Sequence, residues 1–234
     1  MDFPPFPGFR EEAFAFLRDL KANNLRDWFK PRKEIYEDEV VWPLRCLLLD
    51  AAREAAGQGL PLRADPRRSI FRIYRDTRFS KNKDPYKTHA GGVLSRTGDH
   101  RSPGVVYVHV EPGASFLGAG FWRPDAALLR AWRHHMTTAP EAFLDLAADL
   151  EARGLPLDNG VEMLRRMPRG FEAHADTALA PYLRRKSFVV TRPVDEAALA
   201  TPDFTATLVA FMEATLPLLA FGWAAETHRP RDRR

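Results

Sequence analysis

Cysteine is nearly absent from this chain. Cys46 stands alone, which excludes an internal disulfide framework and any Cys-rich zinc site. It falls in the apolar run Trp42–Leu49 and is expected to be a buried small hydrophobe. No apolar run approaches the roughly 18 residues of a membrane span, and the N-terminus has no basic region followed by an apolar stretch, so neither a membrane partner nor a signal peptide is expected. A reducing, cytoplasmic setting follows as the default expectation. Charge of one sign is also scarce. The net charge is +4, and without Arg229, Arg231, Arg233 and Arg234 at the end it is 4 − 4 = 0, so the remaining charges are balanced. That argues against a diffuse nucleic-acid face and makes any basic site local. Lysine is the last shortage, with 7 of the 35 basic residues.

With 234 residues, 45% hydrophobic and 28% charged, the chain is long enough for a substantial core. Phe3 to Phe9 is a Pro-rich aromatic lead whose rings should tuck onto the body. Glu11 to Ala22 has helical spacing of Ala13, Phe14, Phe16, Leu17 and Leu20, and Asn23-Asn24 should stop it in a left-handed turn. Pro31 opens a longer helix to about Ala56, kinked or split at Pro43. Alternation then predicts strands at Ile70–Arg75, Val105–Val110 and Ser115–Trp122, with a long polar loop over Lys81–Arg101 between the first two. Helices are expected from Pro124 to Met136, Ala139 to Arg153, Val161 to Arg166, Thr177 to Arg184 and Pro202 to Phe221, and a short strand at Ser187–Thr191. The fold class is α+β: one domain over residues 1–224, with a central, mainly antiparallel sheet, helices at both ends packed on it, and a basic tail at 225–234.

The scarce lysines are not scattered. Lys81, Lys83 and Lys87 sit within seven residues, next to Arg72, Arg75 and Arg78 and interleaved with Tyr74, Phe79 and Tyr86. Arg forks and Lys point charges hold phosphates and carboxylates. If Arg72, Tyr74 and Asp76 share a face with Tyr107 and His109 of a partner strand, a polar floor results, with the lysines as its rim. The bland reading pairs Arg72, Arg75 and Arg78 with Asp76 and Asp84 in an ion network or leaves them solvated.

The histidines show no i, i+4 helical pair of the metalloprotease type. A triad of His89, His109 and a carboxylate such as Asp76 has no spacing to recommend it, and no metal site is expected. His109, or Asp76, is the candidate acid or base. Gly118-Ala-Gly120-Phe-Trp122-Arg123-Pro124 precedes a helix, but it lacks the endings of known phosphate loops. Close packing by its glycines, with Trp122 in the core, is the plainer expectation, and Arg123 is kept as a secondary ligand residue. Asn23-Asn24-Leu-Arg26-Asp-Trp28-Phe29 reads as a turn anchored on the sheet by its aromatics. No Ser or Cys nucleophile with a visible base appears.

Several of these segments, taken together, resemble an uncharacterised family of bacteria and fungi, the domain of unknown function 2461 family. They are Asn23-Asn24-Leu-Arg26, Arg75-Asp76-Thr-Arg78-Phe79 with Pro85-Tyr86-Lys87, Tyr107-Val-His109, Gly118-Ala-Gly120-Phe-Trp122, and Arg169-Gly170-Phe with Lys186-Ser-Phe188. The resemblance runs from about residue 6 to 224 and implies a single domain. It lends no catalytic residue, cofactor or reaction.

The residues themselves favour a site for an anionic, phosphate-bearing small molecule or nucleotide, formed by Arg72, Tyr74, Arg75, Arg78, Lys83, Tyr86, Lys87 and Arg123. Two alternatives stay open: a nucleic-acid module using the Arg/Lys–Tyr loop, and a structural or partner-binding domain with an ion-paired clasp.

Overall fold

The computed structural model describes residues 3–227, so most of the expected basic tail (228–234) lies outside the described residues. Helix α1 (Glu11–Ala22) buries the five apolar residues its spacing selects, with Glu11 and Glu12 in the first turn and Lys21 in the last, where the helix dipole favours them. Asn23 ends it at φ −130°, so the expected left-handed turn is not used. The backbone stays helical almost without pause through α2 (Arg26–Phe29), a 3-10 turn (Lys30–Arg32), α3 (Lys33–Ile35), a π-helical stretch (Tyr36–Val41) and α4 (Trp42–Gly57). Pro43 has no N–H to give to the preceding turn. The chain meets this by widening into the π stretch and restarting α4 with Pro43 in its first turn.

Four strands follow: β1 (Ala90–Ser95), β2 (Val105–Val110), β3 (Phe116–Phe121) and β4 (Phe188–Pro193). They form one antiparallel sheet in the order β1-β2-β3-β4, and the class is α+β. Three of them, β2, β3 and β4, fall where the sequence leads one to expect strands. β1 does not, because it lies inside the expected Lys81–Arg101 loop. Every residue of β1 is buried, so it has no polar face to alternate, and Gly91 and Gly92 lower its strand character further.

By contacts the chain divides into two compact units. The first comprises the chain up to Ser102, Val106–Leu117 and Arg192–Phe211. Its core includes Phe6 and Phe9 of the aromatic lead, each at most 2% exposed, and a ring cluster of Phe16, Phe29, Tyr36 and Tyr86. The short helix α8 (Glu196–Leu199) belongs here and accepts the Phe9 N–H at the Leu199 carbonyl, 2.9 Å away.

The second unit comprises Pro103–Val105, Gly118–Thr191 and the chain from Met212. Helices α5 (Ala126–Thr138) and α6 (Pro140–Ala152) make the expected hairpin, with Asp125 capping α5 at the Leu128 N–H. Trp132 stacks flat on Phe188 at 4.2 Å. Three expectations fail in this unit. Val161–Arg166 is not a helix; Met163 instead bridges Arg185 in antiparallel fashion. The helix expected over Thr177–Arg184 is only the single turn α7 (Ala180–Leu183). Trp122 is 61% exposed rather than in the core.

Helix α9 (Phe204–Glu226) outruns its expected end and divides between the units at Phe211. By length and composition it could cross a membrane, but half of its most apolar window is buried in the fold, with Phe204, Leu208, Phe211 and Leu218 among the core residues.

Candidate functional site

The basic stretch is a ribbon of bridges rather than the regular strand expected at Ile70–Arg75. Ile70 bridges Gly92 and Tyr74 bridges Tyr86, both antiparallel. Phe71 N–H donates to the Gly91 carbonyl (3.0 Å), and Lys87 N–H donates to the Ile73 carbonyl (2.8 Å). Between these two bonds one side advances from 71 to 73 while the other advances from 87 to 91. The second side therefore carries two extra residues, and His89 is at the middle of the bulge. Bulges bend a strand and re-aim a side chain. Just before it, Asn24 clamps the segment at both backbone groups of Tyr86: its amide donates to the carbonyl (3.0 Å) and its carbonyl accepts the N–H (3.1 Å). Phe29 stacks on the Tyr86 ring at 4.2 Å.

Strand β2 and the residue after it supply the other wall. Tyr107, His109 and Glu111 are two residues apart, so they share one face. Glu111 is held at the start of the β2–β3 turn by Ser115, whose hydroxyl accepts the Glu111 N–H (3.0 Å) and donates to its carbonyl (2.9 Å). Gly91 leaves room for Tyr107; a Cβ there would lie 2.5 Å from the phenol oxygen.

These pieces converge. The Tyr107 hydroxyl is 2.9 Å from His109 Nδ1, and His109 Nε2 is 3.1 Å from Glu111 Oε2. The His89 ring lies 4.3 Å from that of His109, which stacks at 4.6 Å on Phe116. Ligand atoms of His89, His109 and Glu111 all lie within 4.8 Å of one another. The other carboxylate oxygen of Glu111 faces Thr88 Oγ1 (3.4 Å) and Lys21 Nζ (3.8 Å).

Burial sets the protonation states. It drives His89 down to about 4, helped by His109, Lys87 and Arg75 and opposed by Glu111. It also lowers His109, against the pull of Glu111. The Tyr107 phenol rises to about 12 through burial and then the Glu111 charge. For Glu111 burial pushes upward, but the His109 hydrogen bond and the nearby positive groups hold it below its ordinary value. At neutral pH the cluster is two neutral imidazoles, a carboxylate and a phenol.

The residues singled out in the sequence divide. Tyr107 and His109 share their face with Phe71, 5.9 Å from the Tyr107 ring, while Arg72 and Tyr74 of the opposite set are exposed. Lys87 lies over the Phe71 ring at 5.4 Å and is half-buried; burial, then Arg72, lowers its pKa. Lys83 does not reach this face; its ammonium donates to the Thr77 carbonyl (2.9 Å). Arg78 makes two side-chain bonds to Asp76, at 3.0 and 2.7 Å, and holds its carboxyl near 2. Arg75 lies 3.8 Å from Asp84. The Arg78 and Asp76 side chains are 77% and 49% exposed, so their pair contributes little. Arg123, in the second unit, takes φ +45°, donates its N–H to Ser187 Oγ (2.9 Å) and lies over the Trp122 ring.

Glu111 is the member that sequence reasoning passed over, though the alternation that pairs Tyr107 with His109 reaches it two residues on. The carboxylate beside the two histidines is Glu111, not Asp76. In the second unit a shallow cleft of about 300 Å³, lined by Arg130, His134, Phe171 and His174 among others, holds none of the sequence-derived candidates.

No curated protein and no solved structure matches the chain. Residues 12–221 match the family described as "Conserved hypothetical protein (DUF2461)", and the chain belongs to that family.

Proposed function

We propose that this protein binds an anionic, phosphate-bearing small molecule on the face formed by Lys87, Arg75, His89 and Tyr107, in a cytoplasmic setting. The observation that carries the reading is the environment of Lys87. Its ammonium is half-buried over the Phe71 ring beside Arg72, and among the described residues no carboxylate pairs with it. A partly desolvated cation beside another cation is stabilised by an anion that supplies the missing charge. Arg75 adds a fork donor, since its carboxylate neighbour among the described residues, Asp84, is 3.8 Å away. Aromatic walls at Phe71 and Tyr107 suit a flat organic body attached to the anionic group.

The test is thermal stabilisation by inorganic phosphate, nucleoside monophosphates and sugar phosphates. A ligand at 100 times its Kd stabilises by about 2.7 kcal/mol. The wild-type Tm should rise, Lys87→Met should not respond, and Lys83→Ala should respond like wild type. No response across the ligand set removes the reading.

A second reading has one observation in its favour. Phe79 is 95% exposed beside Arg78, with Lys81 and Lys83 close in sequence, a combination that stacks on bases and contacts phosphates in single-stranded nucleic acid.

A further inference from the structure

Two imidazoles and a carboxylate meet where β2 runs past the His89 bulge. His89 is incompletely buried, and its ring packs against the ring of another histidine, His109. The bulge that aims it there lies between the Ile70–Gly92 and Tyr74–Tyr86 bridges and shifts their register by two residues.

We propose that His89, His109 and Glu111 bind one divalent transition-metal ion of the zinc type, with Tyr107 positioning His109. The inference does not rest on the anion reading: the ligands here are imidazole and carboxylate, whereas the charge that would hold the anion comes from Lys87 and Arg75. The donor set selects the class of metal. Two nitrogens and one oxygen suit zinc, cobalt, nickel or iron, whereas magnesium and calcium take oxygen shells.

The geometry is close to what such an ion requires. Bonds of about 2.1 Å in a tetrahedron put neighbouring ligand atoms about 3.4 Å apart. His109 Nε2 and Glu111 Oε2, 3.1 Å apart, are close to that separation and need to spread only slightly. The widest spacing in the trio is within 4.8 Å, and the partly exposed side chains of His89 and Glu111 can close it by rotation.

The hydrogen bonds show what the ion displaces. A carboxylate only accepts, so the Nε2 proton of His109 points at Glu111, and Nδ1 accepts from the Tyr107 hydroxyl. A metal at Nε2 takes that proton's place. The proton moves to Nδ1, and the Tyr107 hydroxyl turns from donor to acceptor. A hydrogen-bond partner on the far nitrogen is the usual support of a metal-bound histidine. Three protein ligands leave a fourth position for water or a ligand oxygen, as catalytic rather than structural zinc sites do.

The test uses the full chain without a tag, stripped by chelator and dialysed into phosphate-free buffer. Cobalt titration should give one equivalent with visible d–d absorption, and zinc should displace it. His89→Gln and Glu111→Gln, each confirmed folded by circular dichroism, should weaken binding more than the about 10–100-fold typical of outer partners. His174→Gln, in the other unit, should leave binding unchanged. Wild type that takes up no cobalt, or His89→Gln and Glu111→Gln variants that bind like wild type, overturns the proposal. Lys87→Met should keep the metal and lose the phosphate response. Metal uptake without phosphate response keeps this inference and removes the anion reading; the reverse result does the opposite.

Discussion

The Tyr107 hydroxyl lies 2.9 Å from Nδ1 of His109, and the opposite nitrogen of the same ring faces Glu111 at 3.1 Å. Since Glu111 is ionised at neutral pH and can only accept, the imidazole proton belongs on Nε2 and Tyr107 must donate. Removing the hydroxyl strands a largely buried ring nitrogen. Tyr107→Phe in the metal-free protein should cost about 1–2 kcal/mol in urea denaturation. Nitrogen NMR of the His109 ring should report the Nε2–H tautomer in wild type and an altered Nδ1 shift in the variant. A variant as stable as wild type, with the same ring shifts, would show that this bond does not form.

A second relationship concerns the glycines before α5. Gly120 has φ +128°, a conformation that disfavours any side chain, and a Cβ built on it would lie 2.0 Å from the Phe188 carbonyl oxygen. The obstacle is backbone of the neighbouring strand, so it cannot rotate away. Gly120→Ala should destabilise by about 3 kcal/mol or more or prevent folding. Gly113→Ala offers the contrast, because there a Cβ meets nothing within 4 Å and only the left-handed φ of +74° is penalised. Equal melting temperatures for the two variants would contradict this account.

The same region shows what a sequence can and cannot carry. Helices α1, α5 and α6 were legible because each has one wet face and one dry face, which leaves a period in the residues, and β2 because less buried residues alternate with buried ones over its first half. Strand β1 is dry on both faces and hides among polar neighbours. Within the site, Tyr107 and His109 were legible from alternation, and Glu111 follows by the same rule. His89 was not, since its position depends on a register change between segments near residues 72 and 89, and no local pattern encodes that. The face assignment failed for the same reason. Phe71, not Arg72, turns toward Tyr107, so most of the arginines picked out by composition point to solvent or to Asp76 and Asp84.

The cluster makes stability depend on pH in one direction. His89 has a folded pKa of about 4 against about 6.5 unfolded, and His109 is lowered too. Between those values the unfolded chain binds more protons, so stability is fully present above about pH 6.5 and is lost as pH falls toward 4. Glu111, also lowered, adds a loss of the same sign at the acid end. Allowing for the partial exposure of His89, its share is about 1–2 kcal/mol. Urea midpoints of the metal-free protein should fall from pH 7 to pH 4.5, and His89→Gln should flatten the fall. An unchanged slope in that variant would assign the acid sensitivity to other groups.

The exposed end of the basic stretch separates a small anionic ligand from a nucleic acid. Phe79 is 95% exposed, so Phe79→Ala should leave stability within about 0.5 kcal/mol of wild type. Whatever it changes is then binding. If single-stranded oligonucleotides bind through this loop, Phe79→Ala should lose about 1–3 kcal/mol of binding energy through the lost stacking. Affinity should also fall with log salt at about 0.7 per phosphate contacted. Lys83→Ala, whose ammonium holds the Thr77 carbonyl in the same loop, should lower that slope, while Lys87→Met should not. A small anion held over Phe71 gives the opposite ranking, with Lys87→Met decisive and Phe79→Ala silent. Fluorescence anisotropy of a labelled oligonucleotide at three salt concentrations, run on the three variants, decides between the two.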